Sequence, residues 1–219
     1  MATRREVNVG ILSSVAVAAA TKAGLAETPQ DLILPPPSLG GGKTLRQALG
    51  DRQSIRDYAE RALPKEVLSN LLWAAWGVNR PHDDGRTAPR WRGVYALDVY
   101  LAMADGVWRY EPKSHKILFH MAGDLRGQTT TGQSFVATAP LNLVYAFDMS
   151  KLSGTETEKT AAAAACVAMV GQNVYLCCAA EGLATVFRES VPGEALARTL
   201  KLPPTQIILF AQTVGYPKA

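Results

Sequence analysis

Asp98-Val99-Tyr100-Leu101-Ala102-Met103-Ala104-Asp105-Gly106-Val107-Trp108-Arg109-Tyr110 reads as two strands and the turn that joins them. Asp98 to Ala104 alternates in the manner of a strand, Asp105-Gly106 is a strong tight-turn pair, and Val107 to Tyr110 runs back. His115 to Met121 can add a third strand. Further on, Leu141 to Phe147 is a nearly continuous apolar run, the kind found in the middle of a sheet with both faces covered. Glu156 to Glu181 then reads as the longest helix, apolar almost all round from Ala161 to Ala180. That composition predicts burial on several sides, in a core or a subunit interface. Gln172 and Asn173 interrupt it, and their amides need partners there; Gly182 can cap it. Leu183 to Phe187 is a strand, Glu194 to Leu200 a short helix, and Gln206 to Val214 a last strand ending in Gly215-Tyr216-Pro217. A hairpin early and helix-separated strands late predict an α+β domain with a mixed sheet.

Upstream of the hairpin, Pro64 opens a helix at its favoured first position, with Val67, Leu68, Leu71, Leu72 and Ala75 at helical spacing and Gly77 as its end. Asn79 to Arg92 follows as a polar loop without regular structure, holding Arg86-Thr87-Ala88-Pro89-Arg90-Trp91-Arg92. Long loops of that kind are more often functional than not. Four arginines and a tryptophan there suit a phosphate, a planar ring or a partner subunit.

The start of the chain has a different character. Thr3-Arg4-Arg5 precedes a small, apolar run from Val9 to Ala20, and Gly24-Leu25-Ala26 places small residues where a signal peptidase reads. Residues 1 to 26 are therefore expected to be an export signal, and the adjacent arginines favour the twin-arginine route, giving a periplasmic protein without stable membrane association once the signal is removed. The alternative is an amphipathic or membrane-anchoring helix, although the apolar run is too short to span a bilayer. Residues 27 to 43, with Pro35-Pro36-Pro37 and Gly40-Gly41-Gly42, form an extended arm and a flexible joint, and 44 to 219 form the domain. The Gly run before Lys43-Thr44 lacks the spacing of a phosphate-binding P-loop.

With 219 residues, 47% of them hydrophobic, one core and one domain are expected. A formal charge of +4 with interleaved signs gives no clustered basic face for nucleic acid. Cys166, Cys177 and Cys178 read as core packing rather than a disulfide framework. No Gly-x-Ser-x-Gly elbow, no metal-ligand spacing among His82, His115 and His120, and no Gly-x-Gly-x-x-Gly after a strand is present. The histidines read as surface residues. An enzyme with no protein nucleophile, acid or metal site takes its chemistry from an organic cofactor.

One stretch suits an anion. Arg52-Gln53-Ser54-Ile55-Arg56 brackets a hydroxyl with two guanidinium groups, between a short helical segment at Thr44 to Asp51 and the Pro64 helix.

Together with Leu71-Leu72-Trp73-Ala74-Ala75-Trp76-Gly77, Asn79-Arg80-Pro81, Gly85-Arg86-Thr87-Ala88-Pro89, Asp98-Val99-Tyr100, Gln172-Asn173, Glu181-Gly182-Leu183-Ala184-Thr185 and Gly215-Tyr216-Pro217, that stretch makes residues 44 to 218 resemble the FMN-dependent nitroreductase family, in its small exported branch. The resemblance implies a nitroreductase-like homodimer, with a largely antiparallel sheet flanked by helices and FMN in two interface clefts. It implies that Arg52, Ser54 and Arg56 bind the FMN phosphate, with Gln53 beside them and Lys218 approaching from the C-terminal end. Pro89, Arg90 and Trp91 would reach the flavin from the other subunit, and Glu189 and Ser190 match the place where backbone N–H groups face the flavin ring. The implied reaction passes electrons from a reduced donor such as NAD(P)H through flavin to a small, planar, electron-poor acceptor. No catalytic side chain and no metal is implied. Where the family has small hydroxyl and amide groups, this chain has Arg90, Trp91, Arg92 and Gly93, bulky and cationic, able to close the cleft or to stack on its ligand. A cofactor-free dimer that binds an anionic or planar ligand in that cleft is the rival expectation.

Overall fold

The computed structural model describes residues 30–218; the expected export signal lies outside them. The arm is stitched to the sheet: β1 (Leu32–Ile33) pairs with the third strand of the expected hairpin unit, and Leu34, buried, donates its N–H to His115 O at 3.2 Å. Helix α1 (Leu45–Asp51) starts with a capping box, Thr44 Oγ1 accepting from Gln47 N at 3.3 Å and Gln47 Oε1 from Thr44 N at 2.9 Å. Ala48 is its one buried residue, so caps and tertiary contact hold this short helix rather than length.

After β2 (Tyr58–Ala59), α2 (Lys65–Trp76) buries Leu68, Ser69, Leu71, Leu72, Ala75 and Trp76. Pro64 sits one residue before the helix rather than inside it, with an extended ψ of 159°. Gly77 does end α2, but at φ −70° rather than in the left-handed region. Its need for glycine is room, since a Cβ there would lie 2.5 Å from the Trp73 ring.

The stretch expected as an unstructured loop is partly regular. It holds a small hairpin, β3 (Val78–Arg80) and β4 (Gly85–Arg86), and a single 3-10 turn at Trp91–Gly93. Local turn chemistry builds the hairpin: Asp83 Oδ1 accepts the Gly85 N–H at 2.9 Å and Asp84 takes φ 57°.

Strands β5 (Leu97–Met103), β6 (Gly106–Glu111) and β7 (Lys116–Ala122) make the expected meander. At its turn, Gly106 has φ 155°, and a Cβ would meet Met121 O at 2.7 Å. One helical turn, α3 (Phe135–Thr138), leads into β8 (Leu141–Asp148), and α4 (Glu156–Glu181), β9 (Ala184–Arg188), α5 (Gly193–Thr199) and β10 (Gln206–Pro217) complete the chain. The sheet order is β1-β7-β6-β5-β8-β10-β2, with β9 also on β10, and every described pairing is antiparallel. Leu141 to Phe147 is buried throughout, as an interior strand should be.

Helix α4 is capped at both ends, by a Thr155–Glu158 capping box and by Gly182 at φ 72°. It packs one face on α2, β9 and β10, and buries Ala162, Cys166, Val167, Val170, Val174 and Cys178 among others. Ala161, Ala165, Ala168 and Gln172 on the other side are exposed, so burial is one-sided in a single chain rather than all round. Alanine made the two faces look alike in sequence. Asn173 finds its partner, donating to Ala74 O at 3.0 Å, whereas Gln172 faces solvent.

Cys166 and Cys178 are buried and Cys177 half-buried, all as free thiols. Burial, reinforced by Glu181, pushes the Cys177 thiol up to about 12. Of the histidines only His82 is a surface residue. His120 Nε2 lies 2.8 Å from Leu200 O, and His115 bridges Ser69 and Tyr110 at 2.7 and 2.9 Å.

Candidate functional site

Arg52 to Arg56 runs from the end of α1 along the edge of β9. The Arg52 N–H closes α1 on Ala48 O, the Ile55 N–H donates to Thr185 O at 3.0 Å, and Tyr58 Oη donates to Ile55 O at 2.6 Å. Within that frame the Arg52 guanidinium stacks over the Tyr175 ring, 5.2 Å from its centroid. Tyr175 Oη accepts the Phe187 N–H at 2.9 Å and lies 2.7 Å from Ser54 Oγ. Either hydroxyl can donate across the Ser54–Tyr175 contact, and the Ser54 oxygen keeps further hydrogen-bonding capacity for a ligand.

Arg56 is exposed and makes no hydrogen bond or ion pair among the described residues. Arg52, Gln53, Ile55, Gly182, Leu183 and Pro217 line a polar depression of about 550 Å³. Lys43 also reaches it, but its ammonium is held by Asp51 at 2.6 Å. Lys218 is tied alongside through its N–H to Asp57 O at 3.2 Å. Ser54 and Arg56 do not line that depression themselves, so of the expected phosphate-binding residues it gathers Arg52 and Gln53. Two guanidinium groups and a hydroxyl in one short segment are the donor types that a dianion such as a phosphate ester takes.

Glu189 and Ser190 extend β9 beyond Arg188. Ser190 Oγ donates to Gln133 Oε1 at 2.9 Å, and the Thr131 N–H donates to Ser190 O at 3.1 Å, so the 129–133 loop braces this segment. The N–H groups of Glu189 and Ser190 themselves reach no acceptor among the described residues. Both are available to a ligand.

Pro89, Arg90 and Trp91 are elsewhere. Arg90 stacks on the Tyr95 ring at 4.3 Å, and Arg86, buried and paired with Asp84 at 2.7 Å, stacks on that ring at 4.8 Å. Two of the four arginines are thus absorbed in packing. Trp91 is 39% exposed, and the Cys166 thiol reaches its backbone. Cys166 and Tyr175 are nine residues apart on α4, so this loop and the Arg52 group sit about 14 Å apart along the helix at 1.5 Å per residue. One chain does not bring them together, and Trp91 does not fill the depression beside Arg52. Arg92 is left-handed at φ 46°, a conformation costly for a residue with a side chain and one that gathers at functional loops, and Gly93 follows at φ 79°, which glycine adopts freely.

Sequence reasoning passed over two side chains here. Tyr175, the residue that ties Ser54 to β9, sits in an apolar helix with nothing local to mark it. Arg188 was placed just past a strand that ends one residue later than expected, and it is buried.

The Nitroreductase family model matches residues 49–216, and the chain belongs to that family. It is 28% identical over 176 residues to a protein of Methanocaldococcus jannaschii assigned as a nitroreductase, a match covering 76% of this chain and 88% of that one. Among solved structures, one assigned as a nitroreductase from Ralstonia eutropha superposes with a TM-score of 0.83 at 33% identity, covering 96% of this chain and 97% of the other. The NADPH:FMN oxidoreductase of Vibrio harveyi, complexed with NAD+, shares the fold, with a TM-score of 0.62 at 16% identity over 81% of this chain and 70% of that one. The chain is accordingly a nitroreductase-family oxidoreductase with a largely antiparallel, helix-flanked sheet.

Proposed function

We propose that this protein is a homodimeric, FMN-dependent oxidoreductase that takes electrons from a reduced donor such as NAD(P)H and hands them to a small, planar, electron-poor acceptor. The observation that carries this reading is the Phe187 N–H···Tyr175 Oη···Ser54 Oγ chain. It locks the anion seat at Arg52–Arg56 to the strand whose continuation presents the free N–H groups of Glu189 and Ser190. A phosphate at one end and a hydrogen-bonding ring edge at the other are what FMN would offer.

In this reading Arg52, Ser54 and Arg56 hold the phosphate, with Gln53 and Lys218 at the rim. The Glu189 and Ser190 N–H groups orient the ring. FMN, when bound, supplies the acceptance of a hydride and its onward transfer; the protein's own part is charge, orientation and exclusion of water. The exposed row of Ala161, Ala165, Ala168 and Gln172 on α4, with Leu45 and Leu49 on α1 exposed at 66% and 54%, supports a dimer face. Two copies crossed antiparallel on that face would bring the Pro89–Trp91 loop of one to the Arg52 group of the other. Export to the periplasm by the N-terminal segment belongs to the same proposal, and rests on its Arg-Arg pair, apolar run and small-residue end.

The test is an absorption spectrum of freshly purified protein. About one flavin per chain is expected; colourless protein that takes up no added FMN overturns the reading and favours a cofactor-free binding cleft.

A further inference from the structure

Arg188 is 3% exposed, yet every acceptor it meets is neutral. Its Nε donates to Thr213 Oγ1 at 3.0 Å, one terminal nitrogen to Thr129 O at 2.9 Å, and the other to Thr129 Oγ1 and Asn142 Oδ1 at 3.3 and 3.4 Å. Thr213 Oγ1 in turn donates to Asn142 Oδ1 at 2.7 Å, so the acceptors are themselves fixed. Among the described residues no carboxylate reaches the guanidinium, and the one titratable group facing it is the buried Tyr58 phenol. Burial depresses its pKa to about 10. An arginine does not escape that cost by losing its proton near neutral pH. A buried, unpaired charge is strongly unfavourable, and folds keep such charges when something else supplies the opposite sign.

Its position says where that something would be. Arg188 is the residue before Glu189 and Ser190. Through Thr129 it grips the same 129–133 loop that Ser190 grips through Thr131 and Gln133. The guanidinium therefore braces the loop that holds the segment bearing the two free N–H groups, and it adds a buried positive charge, without a described carboxylate partner, from the residue next to that segment.

Resting on the flavin reading above, we infer that Arg188 is a positioning residue that holds the Glu189–Ser190 segment and favours the reduced, anionic form of bound FMN over the oxidised, neutral form. The balance is simple. A donor hydride carries two electrons and one proton's worth of hydrogen into FMN, leaving the oxidised donor and a flavin with one negative charge; no further proton is needed, and the buried cation offsets that charge.

The experiment measures the midpoint potential and the FMN dissociation constant of the holoprotein for wild type, R188K and R188Q. R188Q should lose about tenfold of its preference for reduced over oxidised FMN, a fall of about 30 mV for a two-electron couple, while R188K stays near wild type. R188Q that binds FMN with an unchanged potential overturns the inference and leaves the flavin reading standing. Wild-type protein that binds no FMN overturns both. Should R188Q fail to fold, proton uptake on reducing the wild type near neutral pH decides: one proton per two electrons supports the role, and two exclude it.

Discussion

Tyr175 Oη stands 2.7 Å from Ser54 Oγ and accepts the Phe187 N–H, joining residues more than a hundred positions apart in the chain. Replacing Tyr175 with Phe removes both contacts and leaves a half-buried N–H without a partner. The expected cost is about 1–3 kcal/mol of stability, read as a lower urea midpoint. On the proposed reading FMN affinity should fall with it, because the Ser54 hydroxyl loses the partner that fixes it; fluorescence titration of FMN checks this, and unchanged affinity would remove Ser54 from the seat.

On the proposed flavin reading, Arg52→Ala and Arg56→Ala would each delete a charge-assisted donor to the phosphate. Each should weaken FMN binding by about 1.5–3 kcal/mol, roughly 10- to 100-fold in Kd. Arg56, exposed and unengaged, should show this with no loss of thermal stability. Arg52→Ala should in addition lower the melting temperature slightly through the lost stacking on Tyr175.

Gly171 lies in α4 against β9, and a Cβ there would meet the Phe187 ring at 2.6 Å. That ring cannot simply swing away, being stacked on Phe210 at 4.9 Å between centroids and close to Tyr145. Gly171→Ala should therefore destabilise by about 1–3 kcal/mol from overpacking, against a helix-propensity gain of about 1 kcal/mol. Calorimetry should show a net drop in Tm.

His115 gives the fold a pH dependence with a definite sign. Ser69 Oγ donates to Pro35 O at 2.6 Å, so it accepts from His115 Nε2–H, and Nδ1 accepts from the Tyr110 hydroxyl. The network wants a neutral ring. Burial lowers the His115 pKa, opposed by the hydrogen bond at Pro35. The unfolded chain thus binds the proton more readily, near pH 6.5. Stability from this group is intact above that value and is lost as pH falls through the lower folded value. Urea midpoints measured from about pH 7 to about pH 5 should decline, and His115→Gln should flatten the decline.

What sequence made legible was what repeats locally. The meander at Asp98 to Met121 follows from strand alternation and its Asp-Gly turn, the interior strand at Leu141 to Phe147 from an unbroken apolar run, and the bounds of α4 from a long apolar stretch closed by Gly182. The β3–β4 hairpin was missed because two- and three-residue strands carry no period. At the candidate site, the Arg-x-Ser-x-Arg spacing marked the stretch proposed above as an anion seat. Tyr175, which meets Ser54, and Arg188, which braces the loop beside Glu189 and Ser190, were invisible because their partners are distant: Ser54 for one, Thr129 and Asn142 for the other. His115 was misplaced on the surface for the same reason, its neighbours Ser69 and Tyr110 coming from different elements.

The position of β10 between β8 on one side and β9 and β2 on the other has a consequence for biosynthesis. A ribosome delivers this strand after every other described element, yet it occupies an inner slot of the sheet, so nascent chains carry two unzipped flanks until Gln206–Pro217 emerges. Maturation is then governed by late, long-range zippering, and chaperone occupancy should be greatest in the interval between synthesis of β9 and arrival of that final segment.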